Sequence, residues 1–254
     1  PTSASAVTYR MVLAHASSIE DSDIADMFYE YGSDPTISLL DAVSGYLDPN
    51  GAYHTNDNWS AADPGTAASY SNMGYAFAGL LTQLHTGIDF ADHTEATILA
   101  PLGMDDSAWR LSDHDLDTIA MAYAWEGGRY QEYGHYTFAD YPNGGLRGSA
   151  CDVARFLGSQ ASGGEPILAP ATLAAMQEIA YPGLDDVQGL GWYFEDIGPG
   201  DWIGHSGGEQ GIFTEAFYRT SDGVGFVLLT NAAGDDENLL FDLEGSIIEW
   251  ADAL

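Results

Sequence analysis

The hydrophobic pattern of this chain changes period once, near Gly189, from helical to strand-like, and that change limits the available folds more than any other feature. Before it the repeats are helical. Ser38-Leu39-Leu40-Asp41 is a capping box, after which Leu39, Leu40, Val43, Tyr46 and Leu47 are expected to share one buried face. Met73, Phe77, Leu80, Leu81 and Leu84 form a similar stripe on a helix that Gly87 should end, since glycine takes the left-handed conformation a helix terminus often needs. Ser149 or Asp152 is placed to cap a helix carrying Val153, Phe156 and Leu157. Pro170 suits the first turn of another with Leu173, Met176 and Ile179.

Beyond Gly189 strands are predicted over 189–195, 202–207, 211–220 and 224–231, the last two joined by a Ser221-Asp222-Gly223 turn, and an acidic helix over about 237–251 closes the chain. Helices first, antiparallel strands later and a helix last is an α+β order, not an alternating βαβ one. The expected organisation is one domain over 1–254, with a mostly helical part at about 8–180 and an antiparallel part with the closing helix at about 185–254.

Charge narrows the function. None of the 254 residues is lysine; the cations are Arg10, Arg110, Arg129, Arg147, Arg155 and Arg219, against 39 acids, for a formal charge of −33. Such a chain repels polyphosphate and its arginines are scattered, so nucleic acid is excluded as a partner. The acidic stretch 105–117 lacks the glycine and closing glutamate of a calcium loop, and no specific metal or cofactor is expected. Self-repulsion at this charge disfavours compact states in dilute buffer, whereas at 1 M salt the screening length falls to about 3 Å, so the composition suits a salt-rich environment. No apolar run reaches the roughly 18 residues of a membrane span. The single cysteine, Cys151, is read as a small buried thiol and not as a nucleophile.

Two short stretches carry chemistry: Tyr70-Ser71-Asn72 at the mouth of the 73–84 helix, and Gly204-His205-Ser206-Gly207-Gly208 in a strand. The second matches G-x-S-x-G, the nucleophile elbow of α/β-hydrolases. That motif links a strand to a helix and needs a histidine after the serine. Here a hairpin follows, and His205 is the last histidine, so an elbow at Ser206 is disfavoured.

Taken together, five segments resemble the penicillin-recognising serine hydrolases, especially the class C β-lactamase-like esterases and D-peptidases. Thr8-Tyr9-Arg10-Met11-Val12-Leu13-Ala14-His15-Ala16-Ser17 is similar to the family's T-x-R-x-L-L-x-H-x-S segment. Tyr70-Ser71-Asn72 matches Y-x-N, and Pro101-Leu102-Gly103-Met104 a P-L-G-M turn. Gly144-Gly145-Leu146-Arg147-Gly148-Ser149 resembles a G-G-L-x-S-T loop, and His205-Ser206-Gly207 the H-x-G version of K-T-G. The resemblance implies a β-lactamase/transpeptidase-like fold, an antiparallel sheet with flanking helices plus a helical subdomain, and a periplasmic or extracellular location. The family's Ser-x-x-Lys motif, which supplies nucleophile and amine, lies upstream of the first of these segments. Here that segment starts at Thr8, and no lysine is present, so the expectation is the family fold without its N-terminal strands and nucleophile helix.

The resemblance gives Tyr70, Asn72 and His205 catalytic roles, and Gly207 and Gly208 substrate-binding ones, with the Gly208 N–H as one donor of an oxyanion hole. A free phenol titrates near ~10, so Tyr70 needs neighbouring positive charge to act as a base, and without the family lysine it should stay protonated. Asn72 offers a donor and an acceptor to a substrate carbonyl, with simple helix capping as its bland alternative. An imidazole at 205 in place of lysine favours uncharged esters or amides over carboxylate-bearing β-lactams. Ser71 and Ser206 are read as supports. The implied function is acyl transfer to water from esters or D-amino-acid amides and peptides, with this chain inactive by itself; the alternative is a ligand-binding protein without catalysis. The implied partners are a small-molecule substrate and, for the sheet edge, either the nucleophile-bearing segment or a second copy of the chain.

Overall fold

The computed structural model describes residues 6–233 and 238–251. The opening Pro1-Thr2-Ser3 and the expected helix start at Glu237 lie outside the described residues. Helices come first: α1 (Tyr9–Leu13), α2 (Leu39–Leu47), α3 (Asn72–Thr86) and α4 (Phe90–Thr94), the last running through a π turn at Glu95–Leu99 into α5 (Ala100–Leu102). α6 (Ala150–Ala161) and α7 (Pro170–Gln177) follow, and α8 (Asn238–Ala251) is the last helix. Among the helices lie short strands that periodicity did not reveal: β1 (Tyr29–Tyr31) pairs antiparallel with β4 (Tyr136–Phe138), and β2 (Tyr123–Glu126) with β3 (Arg129–Glu132). The principal sheet is antiparallel, in the order β5 (Tyr193–Glu195), β6 (Trp202–Glu209), β7 (Ile212–Arg219), β8 (Gly225–Thr230); β9 (Ala232–Ala233) runs parallel to β2.

Alternation along the sheet assigns its two faces. Trp202, Phe217 and Phe226 pack with Ile248 of α8 on one face. Their sequence neighbours Ile203, Tyr218 and Val227 pack with Leu157 of α6 on the other. A larger core joins α2 and α3 to β1 and β4 through Val43, Tyr46, Met73, Leu80 and Phe138.

The helix ends follow their sequence signals. The Ser38 hydroxyl accepts from the Asp41 N–H, and Ser149 does the same for Asp152. Pro170 occupies the first turn of α7 and Gly87 closes α3 with φ at +69°. Several expectations change: Leu84, in the last turn of α3, is 60% exposed, and the strand expected from Gly189 begins only at Tyr193. Leu40 is 45% exposed, because it points roughly one-quarter turn away from the stripe, and Ala42 takes the inner place. Ile179 falls beyond the end of α7. Cys151 is exposed, not buried, since it is the second residue of α6 on the side away from the sheet-facing Leu157.

Candidate active site

The mouth of α3 is built by a residue the sequence did not point to. Asp21 takes the hydroxyl of Ser71 (3.0 Å) on one carboxylate oxygen together with the Met73 N–H (2.9 Å), and the Asn72 N–H (2.7 Å) on the other. The Ser71 hydroxyl in turn accepts from the Gly74 N–H at 2.9 Å. First-turn N–H groups have no partner inside the helix, and a carboxylate there also meets the positive end of the helix dipole. Ser71, 1% exposed, is therefore the cap, and Asn72 is the first helical residue. The capping alternative for Asn72 is thereby corrected, and its side-chain amide is spared for other work. Fifty positions separate Asp21 from the residues it holds, which leaves no local signature.

Tyr70 precedes the cap with its ring exposed along the groove. Its hydroxyl donates to Asn72 Oδ1 at 3.2 Å. Partial desolvation, then the charges of Asp21 and Glu209 with Tyr193 between, raise its pKa, so the phenol is protonated near neutrality.

Strand β6 supplies the facing wall. His205, Gly207 and Ile203 share the face turned toward α6 and α3, and the His205 ring lies 6.4 Å from the Tyr70 ring, centroid to centroid. His205 Nδ1 donates to the Ser206 carbonyl at 2.5 Å, which leaves Nε2 as a hydrogen-bond acceptor. Desolvation lowers its pKa, so the imidazole is neutral at pH 7 and donates from Nε2 only when protonated. Ser206 points to the opposite face, where its hydroxyl accepts from Tyr193 OH at 2.8 Å. It sits inside a continuous strand followed by a hairpin, so the elbow reading fails on geometry.

A groove of about 1070 Å³ runs between these walls, lined by Tyr70, Asn72, His205, Gly207 and Gly208. All five sequence-derived positions thus share one concave surface. At Gly207 a β-carbon would come within 2.6 Å of the Thr214 hydroxyl across the strand pair; at Gly208 it would meet nothing within 4 Å. The Gly144–Ser149 loop forms another side, anchored by the Arg147 guanidinium, which donates to the Tyr136 carbonyl and lies 5.9 Å over its ring. Asp105, Asp106, Asp113, Asp115 and Glu209 also border the groove, giving it a strongly acidic rim. At this rim Glu209 accepts from Tyr29 OH at 2.5 Å, and burial pushes the Asp140 carboxyl up to about 7.

Comparison with known proteins agrees with this architecture. A family model described as Beta-lactamase matches residues 1–246. The chain is 24% identical to Penicillin-binding protein 4* of Bacillus subtilis (strain 168), over 91% of this chain and 52% of that one. In structure it superposes on the octameric penicillin-binding protein homologue from Pyrococcus abyssi with a TM-score of 0.74, at 21% identity, covering 96% of this chain and 56% of the other. A D-amino acid amidase from Ochrobactrum anthropi SV3 gives the same TM-score at 20% identity, with 96% and 71% covered. The chain spans about half the length of the relatives it matches by sequence.

Proposed function

This chain belongs to the beta-lactamase family, and from that premise we propose that its groove is the acyl-transfer site of a serine hydrolase for esters or D-amino-acid amides and peptides. The observation that carries the reading is the meeting of Tyr70, Asn72 and His205 along one groove, with the phenol hydrogen-bonded to the amide and 6.4 Å, ring to ring, from the imidazole. Asn72 would orient the acyl group. Gly207 and Gly208 would let substrate backbone lie against β6, the Gly208 N–H meeting the carbonyl oxygen as it gains charge. Tyr70 would pass the proton between nucleophile and leaving group, a role that needs a cation beside it.

None of these 254 residues can be that lysine. We therefore place the Ser-x-x-Lys pair on polypeptide outside them, and the chain alone should form no acyl-enzyme. Among the described residues β8 is paired only on its β7 side, and an unpaired strand edge is a template for further strands, either from the nucleophile-bearing segment or from a second copy. The acidic rim and the neutral His205 both disfavour a substrate carboxylate, which supports neutral esters and amides over β-lactams.

Labelling tests this. A fluorophosphonate or a fluorescent penicillin should leave the 254-residue chain unlabelled and should label the complete gene product at one serine. A labelled isolated chain would reject the external nucleophile. No labelling of either would favour a non-catalytic binding protein.

A further inference from the structure

His15 bears two costs that its own packing does not return. Its backbone is left-handed, with φ at +54°, a conformation that residues with a side chain seldom adopt. The residue is 5% exposed, and among the described residues Nε2 has no hydrogen-bond partner. Because Nδ1 accepts the Ser71 N–H at 3.1 Å, the proton of the neutral ring must sit on Nε2, so the orphan is a buried donor. Strain and an unmet donor at one residue point to a local purpose.

That purpose is visible in what His15 holds. Its carbonyl accepts the Ser69 N–H at 2.8 Å and its Nδ1 the Ser71 N–H, so two bonds grip the residues on either side of Tyr70. Its ring lies 4.4 Å from the Tyr70 ring, centroid to centroid, and its other ring neighbour, Tyr75, is 5.0 Å away and tied to the Leu13 carbonyl at 2.7 Å. We infer that His15 is a positioning residue for Tyr70: a three-point clamp that fixes the ring and hydroxyl against the groove wall opposite His205. The inference rests on the role proposed for Tyr70, but the clamp itself is a statement about structure and can be tested without turnover.

The charged and titratable groups facing His15 are Tyr70, Tyr75, His205, Asp21 and Asp185, and burial with His205 outweighs the two acids, lowering its pKa to about 4. The ring therefore stays neutral over the working range. Nitrogen NMR on the wild-type chain should find the Nε2–H tautomer throughout pH 5–9, with NOEs between the rings of His15 and Tyr70. The Nδ1–H tautomer or missing NOEs would overturn the clamp.

His15→Asn then separates wall from tether, since asparagine tolerates the left-handed backbone and its Oδ1 can replace Nδ1 as acceptor. With the wall gone and the tether kept, the Tyr70 phenol should titrate at lower pH, read from its ring-carbon resonance assigned with Tyr70→Phe. His15→Phe keeps the wall and should move that midpoint less. An unchanged midpoint in a folded His15→Asn chain would reduce His15 to a structural residue. In the complete enzyme, His15→Asn should lower kcat while leaving KM near wild type. If the complete protein proves non-catalytic, the kinetic arm falls and the NMR arms still decide the clamp.

Discussion

The mouth of α3 and the face of the sheet under α8 treat their carboxylates in opposite ways, the exposed Asp21 being fully engaged and the buried glutamates not. At the α3 mouth Asp21 gathers three donors and Ser71 satisfies a fourth. Under α8, Glu215 of β7 and Glu244 of α8 are 7% and 6% exposed, and among the described residues each keeps one carboxylate oxygen without a partner. Burial, then Glu244 and Glu195, pushes Glu215 up to about 7. The contrast separates the rim of the proposed site from the support beneath α8. The rim that holds Tyr70 and Asn72 is fixed by charge-assisted hydrogen bonds. The support beneath α8 carries charge that only protons or salt relieve.

Salt should separate the two regions most strongly. Moving from 0.1 M to 2 M salt should raise the melting temperature by on the order of 10 °C, because −33 charges repel across a small surface. An unmoved thermal melt would remove the salt-adapted reading. Next in size, Asp21→Ala should cost about 2 kcal/mol in denaturant unfolding, through three lost bonds to a carboxylate at a helix N-terminus.

Glu215→Gln tests the other region. An acid whose folded pKa is raised binds extra protons in the native state, so its penalty is absent below its ordinary 4.5 and grows as pH rises through about 7. The variant should match wild type near pH 4 and exceed it by about 1–2 kcal/mol at pH 8. Equal stability at pH 8 would show that the carboxylate is already relieved. Smallest of the set, Ser71→Ala should cost about 1 kcal/mol as a lost cap.

What could be read in the sequence follows the same division. Local signals held: Gly87 ends α3, and Ser221-Asp222-Gly223 joins β7 to β8, with Gly223 left-handed at φ +75°. The family motifs brought Tyr70, Asn72, His205, Gly207 and Gly208 to one groove. Contacts distant in sequence left no trace, among them Asp21 on α3, Tyr29 on Glu209 and the β1–β4 pair. Strands of three residues are too short to establish a period. The orientation of His205 was also illegible, because its Nδ1 bond to the Ser206 carbonyl depends on a rotamer.

Mass spectrometry of the complete protein incubated with an activated ester or a D-amino-acid amide addresses the central claim most directly. The account expects one acyl adduct, on a serine outside these 254 residues, formed about 10²–10⁴-fold more slowly in Tyr70→Phe. An adduct within the 254 residues, or acylation indifferent to Tyr70, would contradict it.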